Sequence, residues 1–379
     1  MPRFAPILLV FACFAVSAKP VPEPPPLDAE AYVLMDGATG QILTAKNPDK
    51  KRSPASITKV MTSYVAFEEI AAGRAAMDDP VLISEKAWRQ GIDSSQSRMF
   101  IEVGSQVSLE ELLRGIIVQS GNDASVAVAE HLAGSEAGFA SMMNTTAQRL
   151  GMDNSHFENA SGMPAESHRS TARDIATLVR AHIQDFPEGY GMYAEKEYTY
   201  NEIRQFNRNR LLWRDDSVDG VKTGYTSESG YCLASSAERD GRRLIAVVLG
   251  TSSPDAREQD SLALLNYGFR FFDTVTLFEE GEAVQTHRVF GGALSEVNVG
   301  VRKALHVSLP RDAEERIRLQ AEVQSPLQAP IAKGAQLGTL TVTLDDETLL
   351  VEPLVANEDV AQGGIVKRLI DAVRLRLGV

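Results

Sequence analysis

The chain has 379 residues, 23% of them charged and 44% apolar, with a formal charge of −13 at pH 7. This composition is globular, excludes a mostly disordered chain, and leaves room for two or three separately packed cores. The acidity argues against a nucleic-acid partner, which needs a basic face to neutralise phosphates.

Arg3 precedes an apolar run from Phe4 to Val16, and Val16-Ser17-Ala18 supplies the small residues of a cleavage site before Lys19. Residues 1–18 therefore read as a secretory signal peptide and the protein as exported. The run is short for a bilayer span of roughly 20 residues, which disfavours an uncleaved anchor. Cys13 would leave with it, and Cys232, the remaining thiol, reads as a small buried strand residue. Residues 19–28 are rich in proline and read as an extended leader, with a catalytic domain over residues 29–275.

Residues 31–35 and 41–45 flank the turn sequence Asp36-Gly37-Ala38-Thr39-Gly40 and predict a hairpin. Pro54 then opens a helix on which Ile57, Val60, Met61, Tyr64 and Val65 share a buried face, ending near Gly73. Ser56 and Lys59 lie three apart on that helix, close enough for the amine to take the hydroxyl proton. A Ser-x-x-Lys alone arises about once by chance in a chain of this size, so it needs further parts. Ser108 and Glu111 have capping-box spacing ahead of Leu112, Leu113, Ile116 and Ile117. Further helices are predicted at 123–132, 137–150 and 171–183, and Ser120-Gly121-Asn122 falls between two of them, where its side chains face a cleft and not a core. Strands follow at 221–226, 231–236 and 244–249, the last two joined by Arg239-Asp240-Gly241-Arg242, before a helix at 258–272. Strands at both ends with helices between them predict an α/β (α+β) fold, an antiparallel sheet flanked by helices. Lys222-Thr223-Gly224 opens a strand, and Gly224 is read as letting a substrate backbone approach as an added strand.

Residues 276–358 alternate in short segments at 282–290, 296–301, 304–309, 316–323, 336–344 and 348–355, a small all-β domain read as a spacer. In residues 361–379, Ile365, Leu369, Ile370, Val373 and Leu377 form an apolar stripe beside Lys367, Arg368, Arg374 and Arg376, a local charge of plus three with Asp371. A basic amphipathic helix in so acidic a chain reads as an anchor on an anionic membrane surface.

Serine-lysine acyl transfer also needs a proton relay, an oxyanion hole and a cation for an anionic substrate. The three short motifs occur in the order of the set found in penicillin-binding proteins and class A β-lactamases. Residues 54–62, Asn207-Arg208-Asn209, Val218 to Thr226 and Asn266 to Phe272 further resemble low-molecular-weight penicillin-binding proteins that act as D-alanyl-D-alanine carboxypeptidases. The resemblance covers the whole mature chain and implies a penicillin-binding fold followed by a β-sandwich. It implies that Ser56 attacks the bond between the terminal D-alanines of a peptidoglycan stem peptide, with Lys59 as base and Ser120 as relay. It implies Asn122 as a partner of Lys59, and backbone N–H groups of Ser56 and Tyr225 as the oxyanion hole. Thr223 and Arg257, with Arg208 nearby, are implied to grip the terminal carboxylate, and β-lactams to acylate Ser56. A free lysine titrates near 10.4, so Lys59 works near neutrality only if burial and a neighbouring cation, here Lys222, lower it by about three units. Two positions differ from the general pattern: Gly121 where the motif has Asp, a usual variant among these carboxypeptidases, and Tyr225 where some members carry His.

Two other readings are weighed. A β-lactamase needs a carboxylate base in a Glu-x-x-x-Asn loop, and the spacing Glu197 to Asn201 encloses Tyr198-Thr199-Tyr200, which reads as a strand. A catalytically silent wall-binding scaffold would leave the motifs as relics. The histidines 131, 156, 168, 182, 287 and 306 lack ligand spacing, so no metal or organic cofactor is expected. His168 is expected to make a structural hydrogen bond.

Overall fold

The computed structural model describes residues 21–92 and 96–377. The expected signal peptide, the first two leader residues and the last two residues of the C-terminal helix lie outside them.

Five antiparallel strands form the central sheet, in the order Ile42–Lys46, Ala31–Asp36, Arg242–Thr251, Gly230–Arg239 and Val218–Thr226. Side chains of a strand alternate between faces, and here both faces are covered, which is why Ala31–Asp36 and the middle of Arg242–Thr251 are almost continuously apolar. Ala31, Val33, Met35, Ile245, Val247 and Leu249 enter the core beneath the helix Ala172–Asp185, which also takes in the helix Thr58–Ala71. Their alternates Tyr32, Leu34, Leu244, Ala246 and Val248 enter a second core beneath the helix Pro254–Phe271. The turn between the last two long strands uses Asp240 at φ 51° and Gly241 at φ 76°, a left-handed pair that suits the twist of a tight hairpin.

The leader packs more closely than an extended spacer would. Val21 and Leu27 rest on the second core, and the Tyr267 hydroxyl donates to the Pro22 carbonyl at 2.8 Å. The helix Pro254–Phe271 begins four residues before the expected start, because Ser253 caps it and Pro254 takes its first turn. It leads directly into the strand Phe272–Phe278, which runs across the expected 275/276 domain boundary and pairs with Leu305–Pro310. The C-terminal domain adds a six-stranded sheet around a core of Val297, Val299, Leu340, Val342 and Leu354. Contacts that tie it to the catalytic domain include the Thr39 and Ser308 hydroxyls at 2.8 Å, the Ser308 N–H donating to Gln41 Oε1 at 2.6 Å and the Arg311 N–H donating to the Phe271 carbonyl at 2.9 Å.

The last helix, Ile365–Leu377, docks by its polar side. Asp371 accepts the Gly291 N–H at 2.9 Å and Lys367 donates to the Ser295 hydroxyl at 3.0 Å. Its apolar stripe is turned outward, with Ile365 at 72% and Leu369 at 64% exposure. Among the described residues no helix is long and apolar enough to cross a membrane.

Candidate active site

Ser56 sits in the 3-10 turn Ala55–Ile57, one step ahead of the α-helix Thr58–Ala71, and not within the helix as its spacing predicted. Ala55 is held at φ 48°, which turns the chain sharply and presents the Ser56 hydroxyl to the cleft. Lys59 is wholly buried beneath it. Its amine lies 3.1 Å from Ser56 Oγ, 2.7 Å from Asn122 Oδ1 and 2.6 Å from the Ser161 carbonyl. Burial pulls the Lys59 amine down to about 7, the Asp123 carboxylate opposes that shift, and the Arg208 guanidinium adds to it. Arg208 thus acts on Lys59 as a cation beside the Lys222 that the motif order pointed to. Burial, followed by repulsion from Lys59, Arg208 and Arg257, drives Lys222 itself well below its ordinary value.

Ser120 occupies the end of a wide π-turn, Gly115–Gln119, in a left-handed conformation at φ 62°. The extra residue in that turn breaks the helical register and swings Ser120 towards the cleft. A Cβ on Gly121 would lie 2.8 Å from Asp123 Oδ1 and 3.1 Å from the Met99 amide, so an Asp at this position would collide with the protein's own framework. Asp123 is buried and accepts the Met99 N–H at 2.8 Å and the Phe100 N–H at 3.0 Å, fixing one wall of the cleft. Asn122 completes its amide by donating to Gln96 Oε1 at 2.9 Å.

Lys222, Thr223 and Gly224 lie on Val218–Thr226, the outermost strand of the sheet, whose free edge can accept another extended chain. The absent side chain of Gly224 also has a reason within the protein itself. A Cβ there would stand 2.8 Å from the Pro54 carbonyl, so glycine lets this strand press against the turn bearing Ser56. Tyr225 is exposed and stacks on Tyr231 with ring centres 4.3 Å apart. Arg257 is buried, lies against the Tyr231 ring and the Gly224 carbonyl, and leaves its Nε without a partner among the described residues. Arg208 stands exposed at the mouth.

These groups surround one cleft of about 970 Å³, lined by Ser56, Ser120, Asn122, Arg208, Thr223 and Arg257 among others. No carboxylate lines it among the described residues, and Glu197 belongs to the exposed strand Glu197–Tyr200 outside that lining. His168 supports the site from behind. Burial brings it down to about 4, its Nδ1 accepts the Glu158 N–H at 3.1 Å, and its Nε2 is left to donate to Thr58 Oγ1 at 2.8 Å. The motif search missed Asp123 and the Ser161 carbonyl. Asp123 is the first turn of a helix and reads as an ordinary N-terminal acid; a backbone carbonyl has no signature in sequence. A hydroxyl against a poorly charged amine, with cations beyond it, is equipped for acyl transfer to and from a substrate ending in an anion.

Comparison with known proteins places this arrangement. The family model described as D-alanyl-D-alanine carboxypeptidase matches residues 18–253, and that described as penicillin-binding protein 5, C-terminal domain, matches residues 272–362. The D-alanyl-D-alanine carboxypeptidase DacC of Escherichia coli is 42% identical over 373 residues, covering 97% of this chain and 93% of that protein. Penicillin-binding protein 5 from Haemophilus influenzae superposes with a TM-score of 0.85 at 40% identity, covering 90% of this chain and 99% of that one. Penicillin-binding protein D2 from Listeria monocytogenes, in its cefotaxime-bound form, superposes at 0.60 with 29% identity over 65% of this chain and 100% of that one. The chain belongs to the D-alanyl-D-alanine carboxypeptidase family of penicillin-binding proteins.

Proposed function

We propose that this protein is a serine-type D-alanyl-D-alanine carboxypeptidase that removes the terminal D-alanine of peptidoglycan stem pentapeptides through an acyl-enzyme on Ser56. The observation that carries the reading is the Lys59 amine, buried, brought down to about 7 and 3.1 Å from Ser56 Oγ. At neutral pH much of that amine holds a free lone pair, as a general base must.

The stem peptide lies along the free edge of Val218–Thr226 with its terminal carboxylate towards Thr223, Arg257 and Arg208. As Ser56 Oγ bonds to the penultimate carbonyl carbon, its proton passes to Lys59 Nζ. The backbone N–H groups of Ser56 and Tyr225 receive the developing oxyanion. When the tetrahedral intermediate collapses, the carbon–nitrogen bond breaks, and Ser120 relays a proton to the departing amine of D-alanine. Water then attacks the ester, giving one proton back to Ser56 Oγ and leaving the tetrapeptide carboxylate. A β-lactam follows the same first step, but its leaving amine stays tethered. With no carboxylate among the described residues of the lining to activate water, that acyl-enzyme persists, as expected of a penicillin target and not of a β-lactamase.

The same reading makes the protein exported and held peripherally on the outer face of a bacterial inner membrane, by the helix Ile365–Leu377. The outward apolar stripe with its basic flank supports this. Deletion of residues 361–379 is expected to release the protein from membranes, and full retention by the shortened chain would refute the anchor.

Incubation with a stem pentapeptide tests the activity. Wild type should release D-alanine and be labelled by a fluorescent penicillin, and folded Ser56→Ala should do neither. Wild type that is folded yet takes no label would instead mean a silent scaffold.

A further inference from the structure

Lys59 has three polar neighbours, and their geometry sets a condition on catalysis. A charged ammonium can donate to all three, Ser56 Oγ, Asn122 Oδ1 and the Ser161 carbonyl. A neutral amine has only two N–H bonds and one lone pair. For the lone pair to meet the Ser56 proton, both N–H bonds must be occupied by the other two acceptors. The Asn122 oxygen is anchored by its amide's bond to Gln96. The Ser161 carbonyl belongs to an irregular loop, and something must hold it.

That something is Asn159. Its Oδ1 accepts the Gly162 N–H at 2.8 Å, the Met163 N–H at 3.1 Å and the Ser161 N–H and hydroxyl at 3.3 Å. Its Nδ2 donates to the Met163 carbonyl at 2.9 Å. One side-chain amide thus winds residues 159–163 around itself. The wound loop presents two consecutive carbonyls to the nucleophile helix: Ala160 receives the Thr62 hydroxyl at 2.6 Å and Ser161 receives Lys59 Nζ at 2.6 Å. Gly162, at φ 84°, rests on the Ala55 carbonyl so closely that a Cβ would fall 1.9 Å from it. The loop therefore touches the residue before the nucleophile and the base after it.

We propose that Asn159 is a positioning residue of acyl transfer: by holding the Ser161 carbonyl on one N–H of Lys59, it directs the lone pair of the neutral amine at Ser56 Oγ. Asn159 touches neither substrate nor nucleophile. The proposal rests on Ser56 as the acylated residue and Lys59 as its base.

The test is acylation of the full chain by a fluorescent penicillin from pH 5 to 9, resolved into encounter affinity and limiting rate, for wild type, Asn159→Ala and Asn159→Asp. In Asn159→Ala the limiting rate should fall at least about tenfold, of the order a misdirected general base produces, while encounter affinity stays within about twofold. The midpoint of its pH profile should move up from the wild-type value, because a displaced carbonyl admits water and relieves the burial that lowers the amine. Asn159→Asp keeps the acceptor for the loop's N–H groups and should recover most of the limiting rate. An alanine variant that is folded and has the wild-type rate and midpoint would overturn the proposal, as would an aspartate variant as slow as alanine. If alanine does not fold, Asn159→Ser, with one acceptor on a shorter arm, takes its place under the same criteria. Wild type that takes no label would instead refute Ser56 as the acylated residue, so the two failures are told apart.

Discussion

The cleft and the C-terminal helix break the usual rule of burial in opposite directions. At the cleft two amines are sealed inside, with Lys59 at 0% and Lys222 at 2% exposure. On Ile365–Leu377 the apolar side chains face outward while Asp371 is buried at 5%. Buried cations cost free energy because water solvates charge better than protein does, and exposed leucines cost it because water solvates them poorly. Neither cost is needed to fold the chain, since the β core between them, around Leu340 and Leu354, is buried and apolar in the ordinary way. Local violations of folding rules of this kind mark places shaped for chemistry or for a partner.

The strongest way to break the comparison is Lys59→Ala. Without the base, acylation by penicillin should fall about 10³- to 10⁴-fold, at the upper end of general-base contributions. Thermal stability should move little: a buried amine is removed, but Asn122 Oδ1 and the Ser161 carbonyl lose a partner, at about 1–3 kcal/mol each. The pH dependence follows from the same residue. Its lowered value leaves the amine charged below about 7 and neutral above, so wild-type acylation should rise with pH through about 7. The sign for stability is also fixed. Between that value and an unfolded value near 10.4, the unfolded chain keeps a proton the native one has lost, so stability rises with pH there. Below about 7 the full penalty of burying the ammonium remains. An acylation rate flat from pH 5 to 9, or a Lys59→Ala enzyme within tenfold of wild type, would remove Lys59 from the role of base.

How far the sequence carried depends on whether a function resides in a side chain or in the backbone. Ser56, Lys59, Ser120, Asn122, Lys222, Thr223 and Arg257 were legible because their chemistry travels with their names, and the structure gathers them around one cleft. The loop at 159–163 was not, because it contributes a carbonyl, and Asn-Ala-Ser-Gly reads only as a turn. The π-turn before Ser120 was not, because Gly115 to Gln119 has the apolar period of the α-helix it interrupts. The strand Phe272–Phe278 has no signal of its own: the sequence reading runs the helix to 272 and begins the β segments at 282, because no glycine or proline separates helix from strand and Phe272 itself starts the next element. The run Leu244 to Leu249 was plain, since burial on both faces makes it apolar.

The ordinary core supplies a control of intermediate size. Leu340 is fully buried on the strand Gln336–Leu344, which pairs with Glu347–Ala356. Leu340→Ala should destabilise the C-terminal domain by about 2–5 kcal/mol, the usual cost of emptying a leucine site. D-alanine release per folded molecule should stay unchanged, because among the described residues the domain contributes none to the lining of the cleft. Calorimetry and steady-state kinetics on one preparation check both halves. A loss of kcat/KM at full folding would mean that the β domain does more than hold the cleft at a distance.

The smallest effect belongs to the helix, and it separates an anchor from a misplaced hydrophobic face. Leu369 is 64% exposed in the middle of the stripe, so shortening it removes little packing from the protein itself. Against a bilayer the same side chain would bury fully, a gain of about 1.5–3 kcal/mol. Leu369→Ala should therefore weaken binding to vesicles containing anionic lipid by about ten- to a hundredfold while leaving the melting temperature unchanged. Lys367 is held by Ser295 and Asp371 by the Gly291 amide, so the helix keeps its orientation on the domain in this variant. A drop in melting temperature without a change in vesicle binding would show the stripe packing against protein. Lost binding at constant stability places it in lipid, and then the docked polar face sets the height at which the cleft stands above the membrane.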